Sequence, residues 1–236
     1  MGAVNGFIVG GATVGAALLK GVSGQTPAAA YTSSVPLAAD GSIANQVSIY
    51  TQTNPAWNKA PYPYGRPGNT VGRIGCTVTT ICNALNSVAL RQGLPTRVTP
   101  LDVTNRTANF QALMRQTQTT DLLNTTGKPV PLGDTGAQRA KIKFDEQGKI
   151  IDTAQSKPTL DLIRAALRSG NPVLIGIDGH PRRHTVLAYG IDAKGNILVV
   201  DPDPHRKNPV QTTLTSVMKE WNATELDMAV QINPKP

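Results

Sequence analysis

An α+β fold, helices first and an antiparallel sheet after them, is predicted by the hydrophobic periods along this 236-residue chain. As far as Arg168, apolar residues recur at the helical spacings of three and four; from Pro172 they gather in short Val/Ile/Leu-rich runs. Two of those runs flank the turn Asp192-Ala193-Lys194-Gly195, which marks a hairpin.

Residues 1–44 stand apart, being rich in Gly, Ala, Ser and Thr with Lys20 and Asp40 as their only charges. They read as an N-terminal arm suited to packing on an assembly partner, and residues 45–236 as one domain. The apolar stretch from Phe7 to Leu19 is interrupted by Gly10, Gly11 and Gly15. It falls short of the roughly 20 residues that span a bilayer, so no transmembrane helix is expected. Ala28 and Ala30 form a small-x-small pattern, yet no Lys or Arg precedes Phe7, and an uncleaved arm is expected rather than a secretory signal. Gly6 stands where the myristoylation pattern begun by Gly2 requires Ser or Thr.

Within the domain, Thr77 to Gln92 reads as a helix with Val78, Ile81, Leu85 and Val88 on one face and Gly93 at its stop. Thr99-Pro100-Leu101-Asp102 resembles a capping box with Pro at the first helical position, opening a helix through Phe110 and Leu113. Ser156 to Arg168 is a third helix, with Leu160, Ile163 and Leu167 together and Gly170 closing it. Between these two lies the segment from Arg115 to Ile151, polar and rich in Thr, Gly and Gln, which reads either as a plain insertion or as a seat of substrate selection. Strands are expected at Pro172 to Ile177, Thr185 to Ile191 and Asn196 to Val200, with the helices segregated to one side of their sheet.

Lys and Arg outnumber Asp and Glu by 23 to 15, a net charge of +8 that draws polyanions by long-range attraction. Nucleic acid, anionic lipid and an acidic cell-wall polymer all fit that charge. The basic residues are scattered, however, with short clusters at Arg182-Arg183 and His205-Arg206-Lys207, and no nucleic-acid-binding motif is present. The two cysteines, Cys76 and Cys82, exclude a disulfide framework and a four-cysteine zinc site. Six residues apart on a helix, they are separated by roughly 9 Å along its axis, beyond the roughly 7 Å limit for bridged Cα atoms. Both thiols are therefore free for chemistry.

Cys76 follows Gly72-Arg73-Ile74-Gly75 and immediately precedes the first helix. At a helix N-terminus, unpaired N–H groups and the macrodipole favour a thiolate, and Gly75 permits close approach by a second backbone or a substrate. Position alone fits a nucleophile and a small buried hydrophobe equally. Cys82, beside Ile81 and Leu85, reads as core packing. A thiolate nucleophile needs a proton carrier, and the chain offers His180, His184 and His205. His184 opens a strand, a rigid mount for an imidazole; the other two lie in Pro- and Arg-rich loops and read as solvated. Asp201 ends the neighbouring hairpin strand, where it reads as a turn residue before Pro202 or as the carboxylate that orients His184 through its Nδ1–H.

Four pieces, in order, carry a family resemblance: Tyr50-Thr51-Gln52-Thr53-Asn54-Pro55-Ala56-Trp57; Thr70 to Thr80 around Cys76; His184-Thr185-Val186-Leu187-Ala188-Tyr189-Gly190-Ile191-Asp192; and Val199-Val200-Asp201-Pro202. Together they resemble the bacteriocin-leader-processing (double-glycine peptidase) type of cysteine peptidase, in the papain-like superfamily, over roughly Gln46 to Pro236. The resemblance implies a papain-like fold and four roles: Cys76 attacks a carbonyl, His184 carries the proton, Asp201 orients His184, and Gln52 donates its side-chain N–H to the oxyanion beside the Cys76 backbone N–H. It implies no metal and no cofactor. Many relatives carry Gly or Ala directly after the cysteine, so the bulkier Thr77 is expected to narrow the site.

The function expected on these grounds is hydrolysis of a peptide or isopeptide bond through a Cys thioester. A peptidoglycan peptide substrate and an extracellular, cell-wall or virion setting fit the charge and the arm. The competing expectation is an assembly protein, such as a phage virion component, that keeps the fold.

Overall fold

The computed structural model describes residues 31–35, 42–62, 66–93, 98–104, 130–131, 140–144, 150–152, 157–179, 182–203 and 210–233. Among these, ten strands form one antiparallel sheet system: β1 (Tyr31–Val35), β2 (Ile43–Ile49), β3 (Val130–Pro131), β4 (Ala140–Phe144), β5 (Ile150–Asp152), β6 (Val173–Ile177), β7 (His184–Ile191), β8 (Ile197–Val200), β9 (Gln211–Thr213) and β10 (Glu225–Gln231). The order is β1-β2-β7-β6-β10-β4-β5, with β8 leaving β7 to pair with β9 and β3 pairing with β10. The helices are α1 (Val71–Ile74), α2 (Cys76–Arg91), α3 (Pro100–Thr104), α4 (Lys157–Arg168) and α5 (Leu214–Glu220). No helix among the described residues is long and apolar enough to cross a membrane.

The predicted elements fall within a residue or two of the observed ones, because their signals are local. The capping box forms with Asp in the acidic role: Thr99 N–H donates to Asp102 Oδ2 at 2.7 Å and Asp102 N–H donates to Thr99 Oγ1 at 3.3 Å. Its expected continuation through Phe110 and Leu113 lies outside the described residues. So does most of Arg115 to Ile151, although that segment supplies β3, β4 and the first two residues of β5.

The expectation that the helices lie on one side of the sheet is corrected. On one face, Leu174 and Leu187 pack with Val78, Ile81 and Leu85 of α2. On the other, Val173, Ile175, Ile177, Val186 and Ala188 pack with Leu160, Ile163 and Leu167 of α4 and Leu214, Val217 and Met218 of α5. The cause is visible in β6 and β7, every residue of which is buried. A strand covered on both faces reads as a continuous apolar run, not as an alternation, and it needs a helix on each side.

α2 is buried nearly all round from Val78 to Ala89, including Asn83, Asn86 and Ser87. These polar side chains replace a missing strand. β2 pairs with β7 only at Ile43 and Ala44, and beyond them its backbone turns to the helix. Tyr50 N–H donates to Asn83 Oδ1 at 2.6 Å, Asn83 Nδ2–H donates to the Tyr50 carbonyl at 3.1 Å, and Ser48 N–H donates to Ser87 Oγ at 3.0 Å. Backbone groups that would otherwise be buried without partners are thereby satisfied. Part of the segment read as an arm also joins the sheet: β1 pairs with β2, and Ile43 and Ala44 pair with β7.

Candidate active site

Cys76 is the first residue of α2, where first-turn N–H groups lack intrahelical acceptors. α1 enters α2 through Gly75, and a Cβ at that position would overlap the Val71 carbonyl oxygen and side chain. The close approach foreseen at Gly75 is thus made by Val71, and it sets the sharp junction that leaves the Cys76 side chain partly exposed.

The helix start is fastened to the start of β7. Thr77 Oγ1 lies 3.0 Å from Thr185 Oγ1, and Thr80 Oγ1–H donates to the Thr185 carbonyl at 3.0 Å. These bonds hold the start of α2 beside the start of β7, and Cys76 and His184 line one cleft. Thr77 turns its hydroxyl to Thr185 of the strand, with Oγ1 also 4.0 Å from Cys76 Sγ.

His184 is buried, and its Nε2 lies 2.7 Å from Asp201 Oδ1. The expectation of an Nδ1–H bond to Asp201 is corrected: Asp201 lies past the end of β8, within reach of the ring nitrogen farther from the His184 backbone. That leaves Nδ1 as the ring nitrogen not engaged by Asp201, and Cys76 and His184 line the same cleft. Asp201 Oδ1 also accepts the Asp203 N–H at 2.9 Å, so this one oxygen both closes a turn and contacts the His184 ring.

Gln52 is buried between two supports, its backbone N–H donating to the Pro202 carbonyl at 2.8 Å and its Nε2–H to the Gly72 carbonyl at 3.2 Å. One amide hydrogen of the side chain remains for a ligand. Gln52, Cys76 and His184 line a single cleft of about 550 Å³, counted to its open mouth, together with Arg73, Arg182, Arg183, Asp203 and Trp221. Asp201 sits behind His184. Cys82 is buried in the core with its Sγ 3.0 Å from the Val98 carbonyl, and His180 and His205 lie outside the described residues.

Sequence reasoning missed Trp221. Its indole stacks on the His184 ring at 4.1 Å between centroids and 11° between planes. It follows α5, far in sequence from the other site residues, and only its rarity (the chain has two Trp) marked it.

Burial raises the Cys76 thiol pKa, but the His184 hydrogen bond and charge, the Thr185 backbone N–H and the Thr77 hydroxyl outweigh it and hold the thiol below its ordinary value. Burial lowers that of His184, yet hydrogen bonds to Asp201 and Cys76 and their charges push it up to about 9. Both displacements favour the charged forms, a thiolate and an imidazolium. Cys82 goes the other way: burial pushes its thiol well above the ordinary range, so it stays protonated and inert.

Comparison with curated proteins and with solved structures returned no match. The model of the Peptidase_C39 like family matches residues 44–226, well over half of the chain, and the chain therefore belongs to this family of papain-like cysteine peptidases.

Proposed function

We propose that the chain hydrolyses a peptide or isopeptide bond through a thioester on Cys76. The reading is carried by one cleft that is lined together by Cys76 at the start of α2, His184 bonded to Asp201, and Gln52; the lowered thiol and raised imidazole support it. Thiolate attack forms the C–S bond and moves the carbonyl π electrons to oxygen. The resulting oxyanion is held by the free Gln52 Nε2–H and the Cys76 backbone N–H, donors of a kind worth about 10²–10³ in rate. His184 Nδ1–H then protonates the leaving amine as the C–N bond breaks. Water, losing a proton to the same Nδ1, attacks the thioester, releasing the acid and restoring the thiolate. Asp201 retains Nε2–H throughout, and Trp221 keeps water from that bond.

Peptidoglycan peptides in an extracellular, cell-wall or virion setting are the substrate and place that suit a net charge of +8. Transfer of the acyl group to an amine uses the same residues, and product analysis with and without added amine separates it from hydrolysis.

The test is single-turnover acylation on peptide and cell-wall substrates by His184→Ala, with circular dichroism to verify folding. Turnover should vanish. Full activity in the folded variant would overturn the mechanism, and loss on replacing His180 or His205 instead would move the base to that residue.

A further inference from the structure

The cleft that holds Cys76 is lined by three arginines and one acid. Arg73 lies three residues before the thiol on α1, while Arg182 and Arg183 immediately precede His184, so both halves of the reactive pair carry guanidinium groups at their shoulders. All three are exposed. Neither Arg73 nor Arg182 has a carboxylate partner among the described residues.

Arg183 is fixed differently. It forms an ion pair with Asp227 of β10, whose carboxylate is only 4% exposed while the Arg183 side chain keeps 63% of its exposure. Asp227 falls at the register shift between Leu226 and Met228, and at Gly176 of β6, which pairs with Met228, a Cβ would overlap the Asp227 carboxylate. A glycine in the middle of a buried strand thus makes room for an acid whose visible task is to anchor an arginine at the cleft. Solvated surface arginines need no such support.

Asp203 is the acid in the lining, and it supplies one negative charge against three positive ones. A concave wall with an excess of positive charge focuses its field into the cleft, favouring anions there and repelling cations. Guanidinium groups add directional, bidentate hydrogen bonds that fit carboxylates.

We propose that this cleft selects acidic peptides, binding a substrate carboxylate close to the scissile bond through Arg73, Arg182 and Arg183. The proposal rests on the peptidase reading for its substrate, but the cationic wall is testable without turnover. Iodoacetate and iodoacetamide alkylate the same thiol and differ by one charge.

The rate ratio of iodoacetate to iodoacetamide at Cys76, measured on the full chain by peptide mass mapping, should exceed that of a free thiol by about tenfold and shrink as salt rises. Part of any excess comes from the His184 imidazolium, so the variants decide. Arg73→Gln and Arg182→Gln, which leave no buried acid unpaired, should each cut the ratio severalfold, and Arg183→Lys, which keeps a cation on Asp227, should change it less. Peptides with Glu beside the scissile bond should then show kcat/KM at least tenfold above the Gln isosteres, an advantage reduced in the same two variants.

A ratio unmoved by Arg73→Gln and Arg182→Gln, or equal turnover of Glu and Gln peptides, overturns the proposal while leaving the peptidase reading intact. A ratio that does respond, with no peptide of either kind cleaved, retains the anion site and removes the peptidase reading instead.

Discussion

The Trp221 indole lies face to face with the His184 imidazole, 4.1 Å between ring centroids, and closes His184 and Asp201 away from solvent. In that low-dielectric setting the Nε2–Oδ1 bond of 2.7 Å is stronger than it would be in water, and the ring's face also stabilises an imidazolium. Trp221→Phe should keep the stack and most of the activity. Trp221→Ala should cost about 3–5 kcal/mol in stability, as large-to-small changes in a core do, and lower kcat by roughly 10–100-fold as water reaches the pair. Urea unfolding and a pH–rate profile check both, the alkaline limb moving toward the ordinary imidazole value in the alanine variant.

The pH dependence follows from the same pair. Activity should require the thiolate and the imidazolium together, so kcat/KM should rise with pH through a value below the ordinary thiol range and fall through about 9 as His184 loses its proton. Asp201→Asn keeps an oxygen for Nε2–H but removes the charge, and should move the alkaline limb to lower pH. Stability carries the same sign: His184 is raised from 6.5 to about 9 in the fold, so its contribution is fully present below 6.5 and is lost as pH rises through about 9. The thermal midpoint should fall across that window, and less steeply in Asp201→Asn.

Asn83 should prove to be a structural residue with a functional readout. Its replacement by Ala strips partners from both the N–H and the carbonyl of Tyr50, at a cost on the order of 2–4 kcal/mol for the two groups. Asn83→Asp keeps the acceptor and should cost less. Because Gln52 follows Tyr50 by two residues, kcat should fall more than KM changes, which steady-state kinetics on the folded variants would reveal.

Much of this was legible in the sequence, and what was not has physical reasons. The boundaries of α2 followed from Val78, Ile81, Leu85 and Val88, and Cys76 and His184 were marked by rarity and by their place at the start of an element. The buried sides of Asn83, Asn86 and Ser87 were hidden, because a helix that clamps strands with polar side chains looks like one with a solvated face. The two-sided cover of β6 and β7 was written in their unbroken apolar runs but not read from them. Strand β1, Trp221 and the His184 ring orientation depend on tertiary contacts between segments far apart in sequence, which no local pattern encodes.

A reactive Cys76 thiolate sustained by His184 should show itself in the rate of Cys76 alkylation by iodoacetamide, followed across pH in the unaltered chain and in His184→Ala. Cys76 should react much faster than Cys82 in the unaltered chain, with a midpoint below the roughly 8.5 of a free thiol, and the midpoint should rise to or above that value without His184. Equal labelling of the two cysteines, or the same Cys76 midpoint in both proteins, would contradict it.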